Sequence, residues 1–199
     1  MAIPDKNIVQ TILEPFEPEI DRCIRKAFQD WREIKKVHNL LYNRTRATVV
    51  HDRTIYWALD IFPAKQDIKI IQKYETAWFL ANNANHEAIF RFKKGHGLGF
   101  SRNLPTINAL AFHDPDHNTL WPEAHRVEIV YLLNILKTKI DRILVVARNG
   151  KQLVWTYPII PQAVVDIPSI PTSQSSTDNV LRPIGDTEET VKAVEKDRE

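Results

Sequence analysis

Apolar residues recur at three- and four-residue steps across residues 18–42: Ile20, Cys23, Ile24, Ala27, Phe28, Trp31, Ile34, Val37 and Leu41. That spacing predicts one stripe of an α-helix. Glu17, Glu19 and Asp21 stand at its start, where the helix dipole favours negative charge, and Pro18 suits the first turn. A second helix is predicted over 45–62, through Ala47, Val50, Trp57, Ala58 and Ile61. Pro63 stops it, because the residue before a proline avoids the α region.

From Asp67 the pattern changes to short β-rich runs. DIKIIQKYE, TAWFLAN and EAIFRFKK each read as a strand, with a turn cluster at 82–85 between the last two. Alternation places Phe90 and Phe92 on one face of the third run, and Ile89 and Arg91 on the other. The stretch LPTINALAFH after Asn103 reads as a short helix. RVEIVYLL, KIDRILVVAR and KQLVWTYPII are three further strands, the last two joined by Asn149-Gly150 as a two-residue hairpin loop.

Helices followed by runs of strands predict an α+β fold. Two N-terminal helices pack on an antiparallel sheet of about five to six strands. The domain is expected to span 1–166. The remainder, 167–199, lacks aromatic residues and is rich in proline, serine and threonine, so it is expected to be a disordered acidic tail.

At 43% hydrophobic and 26% charged residues, the chain excludes wholesale disorder. The single cysteine, Cys23, excludes an internal disulfide and points to a reducing, cytoplasmic setting, with the thiol an inert core residue. No apolar leader opens the chain and no run suits a membrane span, so no membrane partner is expected. The net charge is +2, but the tail carries seven acids against four bases, which leaves a mildly basic body.

The least ordinary stretch runs from 91 to 103. Three of the chain's five glycines, Gly95, Gly97 and Gly99, fall there, with Arg91, Lys93, Lys94, His96 and Arg102. Glycines let backbone N–H groups approach an anion, and the cations neutralise it, so these residues are candidates for binding phosphate or nucleic acid. The spacing is neither a Walker nor a Rossmann fingerprint. A second cluster holds His113, Asp116, His117 and His125, whose imidazoles and carboxylate suit a divalent metal, although Pro115 argues against a helical HxxxH site. Asp60 with Asp67 and Lys69 matches the residue types of a restriction-type nuclease centre. Gln10, Leu13 and Phe16 resemble the spacing of sliding-clamp-binding peptides, an arrangement equally suited to an amphipathic lead-in that packs on the first helix.

The leading functional reading is a protein that engages nucleic acid or other phosphate-rich partners through 91–103, with no cofactor expected. Two alternatives stay open. One is a protein–protein interaction or regulatory module, such as a toxin–antitoxin or defence-system component. The other is a metal-dependent hydrolase or nuclease built on the 113–125 cluster.

Overall fold

The computed structural model describes residues 3–73, 76–83, 85–97, 99–101, 112–113, 121 and 123–161. Among the described residues, three N-terminal α-helices precede seven strands: α1 (Lys6–Leu13), α2 (Glu17–His38), α3 (Asn43–Ile61), β1 (Ile68–Lys73), β2 (Thr76–Asn83), β3 (His86–His96), β4 (Phe100–Ser101), β5 (His125–Leu133), β6 (Ile140–Asn149) and β7 (Gln152–Ile159). The tail and most of the 104–113 helix expected from sequence lie outside the described residues.

Short α1 is the lead-in. Asp5 starts it by accepting hydrogen bonds at Oδ1 from the N–H groups of Asn7 (2.9 Å) and Ile8 (3.0 Å). Its apolar residues Ile12 and Leu13, and Phe16 just beyond, are buried in the main core. Anchors already packed inside cannot be offered to a sliding clamp. Asp5→Ala should lower stability by about 1 kcal/mol, the usual contribution of a helix cap, read as a shift in the urea midpoint. An unchanged midpoint would show that the cap is dispensable.

Helices α2 and α3 form an antiparallel hairpin. Asn39 ends α2 in the left-handed region, φ 49°, four residues earlier than the stripe predicted. Trp31 is buried as expected, but Val37 and Leu41 are 72% and 85% exposed. The periodicity runs past the helix end, and its last two members face solvent. Asp30 clamps the pair, accepting from Arg53 Nε at 2.6 Å and Trp57 Nε1 at 2.8 Å. Cys23 is fully buried, and burial pushes its thiol up to about 12, so it is inert.

The sheet has the order β1-β2-β3-β5-β6-β7, with β4 paired to the end of β3. It is mixed rather than purely antiparallel. Two meanders, β1-β2-β3 and β5-β6-β7, meet along a parallel β3–β5 seam in which Phe90 lies opposite Val127 and Arg91 opposite Glu128. Each meander has three strands, so its outer strands point the same way. The connection from Gly97 to Ala124 then crosses over before the second begins.

Alternation on β3 holds as read. Phe90 and Phe92 join the core beneath the helices, while Ile89 and Arg91 face the other side. The three N-terminal helices cover the first face: α1 lies over β2 and β3, α3 over β3 and α2 over β6. On the second face, Phe112, Trp121 and Ala124 of the crossover pack against Leu80 and Ile89.

The β6–β7 hairpin is present, with a different loop. Asn149 pairs with Gln152, so Gly150-Lys151 makes the turn, and only Gly150 has positive φ, +55°. Glycine at the first central position is the requirement of a type II′ turn. Between Ala147 and Arg148 the register shifts, and Val154 is left over as a bulge.

Candidate functional site

Two charged assemblies stand out, one inside the fold and one at an end of it. The first sits on the sheet face away from the helices. Glu128 is fully buried on β5, within the apolar stretch Val127–Leu133. Its Oε1 accepts from Arg91 Nη2 at 2.8 Å and Nε at 3.1 Å, and lies 3.1 Å from His113 Nε2. Oε2 accepts from Ser101 Oγ at 2.7 Å, and Arg148 Nη1 donates to the same hydroxyl at 3.2 Å. The Arg91 guanidinium also lies over the Phe112 ring, 4.1 Å from its centre.

Burial alone would raise the Glu128 carboxyl. The His113 hydrogen bond, the Arg91 charge and the Ser101 hydroxyl outweigh it and hold the group well below the ordinary carboxylate range. Burial lowers His113 and favours its neutral form, and its Nε2 lies against both the carboxylate and, at 3.2 Å, Arg91 Nη2. The His113 carbonyl accepts from the Gly150 N–H at 2.8 Å, which ties the crossover to the β6–β7 turn. The network thus fastens the crossover to the sheet.

This placement corrects part of the sequence reading. Residues 91–96 are strand, so alternation sends their side chains to opposite faces rather than into one cradle. Arg91 is only 6% exposed and committed to Glu128, so it is withdrawn from any surface ligand. Lys93 is half-buried on the same face, and burial, then the Arg91 charge, lower its pKa. A Cβ on Gly95 would collide with the side chains of Val130 and Leu132, so that glycine serves close packing. Gly99, φ +90°, is buried, and its N–H donates to the His96 carbonyl at 3.1 Å to close the β3–β4 turn. His96 and Gly97 are exposed at that turn, and Arg102 lies outside the described residues.

The metal reading fares similarly. His113 and His125 belong to opposite faces: His113 contacts Glu128, whereas His125, three residues before Glu128 on β5, lies near His86 with ring centres 6.3 Å apart and planes tilted by 43°. Asp116 and His117 lie outside the described residues. Among the described residues no group of three or more His, Cys, Asp or Glu could hold a metal ion. Asp60, Asp67 and Lys69 are all exposed, on α3, the following turn and edge strand β1.

The second assembly is an open groove of about 740 Å³ between the start of α3, the end of β3 and the β5–β6 loop. Arg46, Lys94, His96, Lys137 and Arg142 line it, against the single acid Asp141. Arg46, 9% exposed, ties two of these walls together, donating to the Lys137 carbonyl at 3.3 Å and to Asn43 Oδ1 at 2.9 Å. Its Nε is buried without a partner. Asn134 shapes the opposite wall: its Oδ1 accepts from the N–H groups of Thr138 (2.7 Å) and Lys139 (3.2 Å). That brace presents Ile135, Leu136 and Lys137 at the tip, with Lys137 at φ 56°.

Among the described residues of the glycine-rich stretch, Lys94, Gly95, His96 and Gly97 reach this groove. The remaining cations were missed because they come from segments distant in sequence. One local signal marked part of the groove: Lys137-Thr-Lys139 follows Ile135-Leu136, two apolar residues that belong to no strand or helix stripe read from the sequence. The buried pair had its own flag, a lone glutamate inside the apolar run RVEIVYLL, since a fully buried acid is rare unless paired.

Among the described residues, no helix is long and apolar enough to cross a membrane. Comparison of the chain with protein-family models, curated protein sequences and solved structures finds no match.

Proposed function

We propose that the protein binds nucleic acid through this groove, with the backbone phosphates held by its cations. One observation carries the reading. The three segments that build this end, 35–46, 94–97 and 134–142, hold eight lysines and arginines against one acid, Asp141, in a chain whose net charge is +2. The rest of the chain is therefore net acidic. Charge segregated in this way creates a local positive field that attracts a polyanion, which the modest net charge conceals.

The first turn of α3 supports the reading. It holds no acid, Tyr42 offers no side-chain cap, and Arg44 and Arg46 sit where the helix dipole is already positive. Cations there oppose the dipole and weaken the helix start. A bound phosphate would reverse the sign of that interaction.

The test is a salt series. Binding to labelled oligonucleotides should weaken steeply as salt rises. Replacing the exposed groove-lining Lys137 and Arg142 together by Gln should weaken binding at every sequence and flatten the salt dependence by about 0.7–0.9 units of slope per lost phosphate contact. Folding stability should barely change, because solvated surface charges contribute little. A wild-type protein that binds neither single- nor double-stranded nucleic acid at low salt would overturn the proposal.

A further inference from the structure

We infer that the groove takes a single strand rather than a duplex, with bases lying on the apolar rim and phosphates on the cations. The inference rests on the nucleic-acid reading and names its substrate class. Its observation is separate: four strongly exposed apolar side chains lie in the groove or next to its wall in sequence. Leu41 is 85% exposed, Tyr42 74%, Ile135 97% and Leu136 78%. The first two immediately precede Asn43 of the groove wall, and the other two line the groove itself.

The chemistry of the rim selects the occupant. A duplex presents sugars and phosphates outward and keeps its base faces stacked inside, so it offers these side chains nothing apolar. An unpaired strand exposes base faces, and every base can lie on an aromatic or aliphatic surface regardless of sequence. A second copy of this chain would bring one strongly basic end against another, which like-charge repulsion opposes. A bilayer is flat and meets only the rim, so it cannot follow the groove that the cations line. A single strand is slim enough to enter the groove and serve both sets of side chains.

The experiment compares a labelled oligothymidine with a hairpin duplex of equal phosphate number, in matched salt. The wild-type protein should bind the single strand at least tenfold tighter. Tyr42→Ala should reduce single-strand affinity roughly tenfold, the usual loss on removing one stacking side chain, while the salt slope and duplex binding stay unchanged. Tyr42→Phe should keep the affinity, because the ring and not the hydroxyl supplies the contact. Ile135→Ser with Leu136→Ser should act like Tyr42→Ala. Both sites are solvent-exposed, so urea midpoints should match the wild type.

Equal affinity for the two probes, or a Tyr42→Ala variant with wild-type affinity, would overturn this inference and leave the phosphate reading intact. Binding to phosphatidylserine vesicles that Ile135→Ser/Leu136→Ser abolishes, without single-strand preference, would assign the rim to a membrane surface and also overturn it. Failure to bind any nucleic acid would remove both.

Discussion

Glu128→Leu is expected to destabilise the fold by about 3–5 kcal/mol, because it leaves the Arg91 guanidinium buried without its counter-charge. Leucine is close to glutamate in size, so the loss is electrostatic rather than a cavity. Pairing it with Arg91→Met should recover most of the loss, since a buried ion pair replaced whole by apolar residues is often neutral. Urea unfolding of the single and double variants measures both. A single variant as stable as the wild type would show that Arg91 finds another acceptor.

The same network sets the response to acid. The neutral form of His113 is favoured in the fold, so its contribution is complete above the ordinary value of 6.5 and fades as pH falls below it. The Glu128 carboxyl is likewise depressed, so its contribution is complete above the ordinary 4.5 and is lost as pH falls further. Stability should therefore decline in two stages on acidification. The double variant should lose the second stage and keep the first, because His113 stays buried and no longer has the Glu128 carboxylate that favours its charged form. A wild-type stability that holds level from pH 7 to pH 4 would contradict the assignment.

Phe90→Ala should be about as severe. Phe90 is fully buried at the centre of the sheet, and its ring meets Phe79 stacked at 5.3 Å, Phe92 edge-on at 5.7 Å and Phe62 edge-on at 6.2 Å. Removing it strips three aromatic contacts at once and opens a cavity that surrounding elements cannot close, since α1 and α3 both rest on β3. The expected loss is about 3–5 kcal/mol. Melting should fall by roughly 6–20 °C for a chain of this size, measured by calorimetry. A fall of a degree or two would mean that the aromatic cluster repacks around the gap.

The aromatic cluster was legible in the sequence, because it depends on local alternation: Phe90 and Phe92 share a face by period two, whatever their partners. The same holds for Trp31 on its helical stripe. The parallel seam was not legible. Antiparallel neighbours follow one another along the chain, whereas the β3–β5 register sets Arg91 opposite Glu128 across 37 residues. Without that pairing, Arg91 reads as one more surface cation in a basic run, and His113 reads as a ligand. The groove was hidden for the same reason. Arg46 meets the Lys137 carbonyl across 91 residues, and no local pattern announces such a meeting.

The parallel seam bears on how the chain reaches its fold. Within each meander, neighbouring strands can zip from a turn, and the loop entropy paid is small. The seam joins β3 to β5 only after the whole stretch from Gly97 to Ala124 has been drawn closed. Each doubling of a loop adds about 0.6 kcal/mol to the closing free energy, and no contact across the seam offsets it beforehand. Joining the two halves is thus the entropic bottleneck of folding. The ion pair that Glu128 makes with Arg91 lies on that seam, so a protein lacking it should assemble both meanders at ordinary speed and be slow, or quick to reverse, in bringing them together.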